Sequence, residues 1–116
     1  MSEIIDVKDA LERVQDDKDL LLELFDIFQE DFPTKRNAFW QALEGGNAVT
    51  FQQIAHGIKG ATGNISAKQM HENCIELDHM GKAGNLTGAR ERLELLDKQY
   101  SEFQAEVQRV RKEFGK

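Results

Sequence analysis

Apolar residues return in alternating steps of three and four from Leu86 to Phe114: Leu86, Ala89, Leu93, Leu96, Tyr100, Phe103, Val107, Val110 and Phe114. That period follows one face of an α-helix and predicts a long final helix packed along a bundle seam. Upstream, Leu20, Leu21, Leu24, Phe25, Phe28, Phe32, Phe39, Trp40 and Leu43 crowd a second long stretch. Asp16 or Asp17 suits its positive end as a cap, and Gly45-Gly46 closes it. Pro33 falls inside. Proline has no N–H to give the helix, so either two helices meet there or, as favoured here, one helix kinks. Ile4 to Val14 reads as a short amphipathic helix with Val7, Ala10, Leu11 and Val14 on one side. Asn47 is placed to cap a third helix running to about Gly63 or Asn64, with Phe51, Ile54, Ala55, Ile58, Thr62 and Ile65 facing inward. Ser66 is expected to cap a fourth, carrying Ala67, Met70, Cys74 and Leu77; Gly81 and Gly84 end it, and Asn85 caps the last. The expected fold is all-α: an up-down-up-down antiparallel four-helix bundle with a short additional N-terminal helix as a lid, one domain over residues 1–116.

Charge narrows the partners. The formal net charge is −6, which speaks against nucleic acid, because neutralising phosphates needs a basic face. The basic tail Arg109, Arg111 and Lys112 is short and interrupted by Val110 and Glu113. No apolar run approaches the roughly 20 residues of a membrane span. No secretory leader opens the chain, and one cysteine, Cys74, forms no internal disulfide. Both lead to an expectation of a reducing, cytoplasmic setting without membrane insertion. Cys74 lies on an apolar stripe and reads as a small buried hydrophobe.

Glycine then marks a place of interest. Ala55-His56-Gly57-Ile58-Lys59-Gly60-Ala61 reads as helix but carries two glycines, with Gly63 following. Each costs about 1 kcal/mol in a helix interior relative to Ala. His56 sits one residue off the inward stripe, with Gln52, Gln53, Lys59, Gly60 and Gly63 around it at helical offsets. The chain thus presents an imidazole, an ammonium one turn on, and a surface stripped of bulk, as close approach by another macromolecule's backbone requires.

The stretch Ile54-Ala-His56-Gly-Ile-Lys59-Gly60-Ala61, followed by Ile65-Ser-Ala67, Met70, Cys74 and Leu77-Asp78, resembles the histidine phosphotransfer (HPt) domain of multistep phosphorelays. The mid-helix proline, the Gly-Asn turn and the long last helix extend the resemblance over nearly the whole chain. Gly57 stands where most members carry a larger residue, Ile58 replaces the usual Leu, Ser66 the usual Gly, and Asp78 the commoner Glu. The resemblance implies that His56 accepts a phosphoryl group from a receiver-domain aspartyl phosphate and passes it to another receiver. It implies that Lys59 compensates phosphoryl charge, that Gly60 provides room, and that Asp78 orients the imidazole. Lys82, at i+4 from Asp78, adds positive charge at the rim. Gln52, Gln53, Gly57 and Gly63 form the docking surface, with Ile4, Ile5 and Val7 as a further apolar patch. The expected partners are response-regulator receivers and a hybrid sensor histidine kinase. Magnesium comes from the receiver, so no cofactor is expected on this chain, and it acts as a monomeric phosphocarrier with no kinase activity of its own.

Two rival readings make different demands. A passive helical adaptor has no need of the His56-Lys59-Gly60 constellation. A metal-binding bundle draws on His71, Cys74 and Asp78, but the paired Glu-x-x-His motifs of carboxylate-bridged bundles are missing, so no metal is expected.

Overall fold

A computed structural model describes residues 3–116. Five helices follow one another: α1 (Val7–Arg13), α2 (Lys18–Glu44), α3 (Ala48–Asn64), α4 (Lys68–Ala83) and α5 (Ala89–Glu113). No strand occurs among the described residues. Three helices begin on a side chain that takes up an orphan amide: Asp6, Asp17 and Asn47 accept from the N–H of Asp9, Leu20 and Thr50 at 3.0, 3.0 and 3.1 Å. Gly84 ends α4 in the left-handed conformation (φ 67°), as expected of a terminal glycine.

Four local expectations need correction. α1 starts at Val7, because Asp6 takes the cap; Ile4 and Ile5 precede the helix, and Ile5 is buried in the core. Ser66 does not cap α4. That helix starts after Ala67 with no side-chain cap, and Ser66 instead adopts φ 55° in the turn leaving α3. Gly81 lies inside α4 and does not end it. Asn85 does not cap α5, which starts after Gly88; its Oδ1 accepts from Thr87 N–H inside the loop.

The Ser66 turn has a structural task. Its Oγ donates to Asp9 Oδ2 at 2.5 Å, and its carbonyl accepts from Asp6 N–H at 2.9 Å. Lys68 approaches the same Asp9 oxygen at 3.5 Å. These contacts hold α1 and its entry against the α3–α4 turn.

α2 is one helix through Pro33. The proline leaves the carbonyl four residues earlier without its helical donor. That carbonyl belongs to Gln29, and the Tyr100 hydroxyl of α5 donates to it at 2.9 Å. Tyr100 also stacks on Phe32, with ring centroids 4.3 Å apart. The neighbouring core is aromatic: Phe103 meets Phe25 and Phe28 edge-on at 5.7 and 5.2 Å. Along α5, Ala89, Leu93, Leu96, Phe103, Val107 and Val110 are buried, while Leu86, Tyr100 and Phe114 pack partly buried against the core. All nine seam positions read from the sequence therefore face inward. α3 packs most extensively on α4, and α2 contacts both α3 and α5.

Candidate functional site

At about 3.6 residues per turn, α3 has three sectors. Phe51, Ala55, Ile58 and Thr62 are buried. Gln52, Lys59 and Gly63 border α4, and Ala61 and Ile65 border α2. His56 is exposed in the middle of the remaining arc, beside Gln53, Gly57 and Gly60, which are exposed as well. The imidazole makes no hydrogen bond to any described residue. A Cβ built on Gly57 or Gly60 would meet nothing within 4 Å. These two glycines are therefore not demanded by packing inside the molecule.

The third and fourth helices approach closely at Gly81. A Cβ there would stand 2.7 Å from Gln52 Cα and 2.9 Å from its backbone nitrogen, so only glycine allows this approach. One turn earlier on α4, Asp78 reaches α3. Gln52 Nε2 donates to Asp78 Oδ1 at 2.7 Å, and Lys59 Nζ donates to Oδ2 at 2.7 Å. Lys82 Nζ lies 3.4 Å from that same Oδ2. The Asp78 side chain is 1% exposed, against 27% for Lys59 and 59% for Lys82. Burial pushes the carboxyl up, but the hydrogen bonds from Lys59 and Gln52 and the nearby ammonium charges bring it down to about 2. The expectation that Asp78 orients His56 is not met: both of its oxygens are occupied by Gln52 and the two lysines. Gln52, expected on the docking surface, is half-buried and committed to Asp78.

Gly63 is covered. The His71 ring lies 3.1 Å from where its Cβ would be, so it is not open ground for a partner. His71 Nδ1 sits 2.8 Å from the Lys59 carbonyl; a carbonyl only accepts, which assigns the proton to Nδ1. Thr62 Oγ1 donates to the Ile58 carbonyl at 2.8 Å. Ile5 is in the core and Ile4 and Val7 pack partly buried against it, so the proposed N-terminal apolar patch is not a free surface. Cys74 is buried, and burial raises its thiol to about 12, which makes it inert. No group of three potential metal ligands comes together among the described residues.

Sequence reasoning missed an apolar groove of about 200 Å³ between α2 and α3, lined by Leu24, Ile27, Phe28, Asp31, Ala61, Asn64 and Ile65. Ile27, 53% exposed, stands over it. The available signal was Ile27 itself, an apolar residue outside the inward set read along that helix. The groove begins about 8 Å beyond His56 along the α3 axis, by the 1.5 Å rise per residue.

These features define an all-α protein that presents an exposed histidine, His56, on ground cleared by Gly57 and Gly60, between a lysine–carboxylate cluster and an apolar groove. The family model of the Hpt domain matches residues 23–113. The chain belongs to the Hpt domain family. In solved structures it is similar to the histidine-containing phosphotransfer protein B (HptB) of Pseudomonas aeruginosa PAO1, at 21% identity and a TM-score of 0.87, over 97% of this chain and 98% of that one. At that identity the likeness speaks to the fold. No curated protein matches the chain by sequence. No helix among the described residues is long and apolar enough to cross a membrane.

Proposed function

We infer that the chain is a phosphocarrier that takes a phosphoryl group onto His56 from a receiver-domain aspartyl phosphate and passes it to another receiver. A lone pair on a ring nitrogen attacks phosphorus in line. The P–N bond forms as the P–O bond to the receiver breaks, the aspartate carboxylate leaves with that electron pair, and the imidazole keeps its proton on the other nitrogen. Such transfer needs positioning and charge compensation more than covalent machinery. Lys59 supplies a cation to the phosphoryl oxygens and Lys82 adds positive charge at the rim; Gly57 and Gly60 leave room, and Gln53 flanks the contact. The receiver provides magnesium, and this chain carries out no ATP-dependent phosphorylation itself. The apolar groove along Ile27 extends the docking surface. The four long helices serve as an up-down-up-down bundle, working as one monomeric cytoplasmic unit that exchanges phosphate with receivers and with a hybrid sensor kinase.

One observation carries this reading: His56 is exposed, has no internal partner, and stands beside glycines that nothing in the molecule requires. A passive adaptor has no use for that arrangement. The test mixes the protein with a phosphorylated receiver and looks for acid-labile, base-stable phosphate. His56→Gln should abolish the label while leaving helicity unchanged. Label that survives the substitution removes His56 from the role.

A further inference from the structure

Asp78 is a buried carboxylate that touches no part of His56, yet it gathers both lysines of this flank. We propose that Asp78 is a positioning residue that competes with a phosphoryl group on His56 for Lys59 and Lys82, and so sets how long that group stays before it is passed on. The proposal rests on His56 being the acceptor.

Lys59 lies one turn beyond His56, on the α4 side of the ring, close enough for side-chain contact. In the unmodified protein its ammonium is 2.7 Å from Asp78 Oδ2, with Lys82 3.4 Å from the same oxygen. Gln52 holds the other oxygen at 2.7 Å, which fixes the carboxylate plane. Both cations are thus held on the carboxylate, His56 has no hydrogen-bond partner among the described residues, and the ring stays clear for an incoming acyl phosphate. A phosphoryl group brings close to two negative charges and three acceptor oxygens. Two lysines then face two anions. Lys59, nearer the ring along α3, turns to the phosphoryl oxygens, while Lys82, which follows Asp78 on its own helix, stays with the carboxylate. Asp78 in this way prevents both ammonium groups from settling on the phosphoryl group. A carrier that held its cargo with both would bind the bound state too well and release it slowly, because stabilising the ground state does not speed the next transfer.

Asp78→Asn keeps the shape and removes the charge. With phosphoramidate as a small phosphoryl donor, the phosphorylated variant should lose its group about two- to fivefold more slowly than wild type, the scale of one exposed ion pair. Onward transfer to a receiver should slow in parallel. The gain must vanish when Asp78→Asn is combined with Lys59→Gln and Lys82→Gln, which a merely structural role for Asp78 would not produce. A second measurement needs no variant: the Lys59 ammonium resonance, followed by ¹H–¹⁵N NMR, should shift when wild-type His56 is phosphorylated. Equal lifetimes in wild type and Asp78→Asn, or a Lys59 signal unmoved by phosphorylation, overturn the proposal and leave His56 as acceptor. A wild type that takes no phosphoryl group from phosphoramidate or receiver sinks the phosphocarrier reading, and this proposal with it.

Discussion

Ser66 shows how one residue can be constrained from two sides. Its φ of 55° is a left-handed conformation that costs a non-glycine residue roughly 1–2 kcal/mol. A glycine would adopt this angle without strain. Ser66 offsets the strain with a hydrogen bond to Asp9, and that bond, with the one from Arg13, lowers the Asp9 carboxyl from its usual range to about 2. Ser66→Ala keeps the strain and loses the bond, so its melting temperature should fall by about 4 °C, the shift that 1 kcal/mol gives in a domain this size. Ser66→Gly loses the bond but relaxes the backbone and should melt close to wild type. The pH profile gives an independent readout. A carboxyl depressed in the folded state contributes stability above its unfolded pKa of about 3.9 and loses it as pH falls through about 2. Melts recorded from pH 5 to pH 2 should therefore decline less steeply for Ser66→Ala than for wild type. Parallel declines would show that Ser66 does not govern the Asp9 titration.

At the scale of the element, Pro33 and Tyr100 form a pair across 67 residues of sequence. The proline removes a donor from the Gln29 carbonyl, and the Tyr100 hydroxyl replaces it at 2.9 Å. Tyr100→Phe should destabilise the fold by about 1 kcal/mol, the worth of one hydrogen bond to a part-buried carbonyl. Pro33→Ala restores an N–H to that carbonyl, so most of the loss should disappear in the double variant. Urea unfolding of the four proteins measures the coupling, and purely additive effects would dismiss the pairing. This pair also marks what the sequence could and could not reveal. The α5 seam, the Asn47 cap, a cap for α2 at Asp16 or Asp17 and the Gly84 stop were legible because each depends on local chemistry or on period. Tyr100 was legible as a seam residue, but its hydroxyl's partner lies on another helix. Gly81 was misread for a related reason: glycine both ends helices and permits close crossings, and only the position of Gln52 separates the two. His56, Lys59 and Gly60 could be placed on one flank from spacing. Which of them Asp78 would reach could not, because spacing along α3 does not say on which side of His56 the fourth helix packs.

The whole molecule divides labour along α3. One side of the helix is buried in the core, one border carries the Lys59–Asp78 pair, the other meets the apolar groove, and His56 lies between them. Stability does not require that outer arc. Gly57 and Gly60 weaken α3 by about 1 kcal/mol each relative to Ala, and Ile27 leaves apolar surface in water. Such features make sense when a second macromolecule must lie flat over the histidine, since a small donor could reach an exposed imidazole without them. Gly60→Leu and Ile27→Asp separate the two demands. Gly60→Leu should raise thermal stability, because the added side chain enters open space and improves helix propensity. Ile27→Asp should leave stability nearly unchanged, as the site is 53% exposed. Both should take phosphate from phosphoramidate at the wild-type rate. Transfer from a phosphorylated receiver should slow by roughly tenfold in each, the scale expected when one central interface residue is lost or obstructed. If receiver-dependent transfer keeps its wild-type rate in both variants, the cleared flank and the groove are not where the partner sits, and docking must be sought on another face of the bundle.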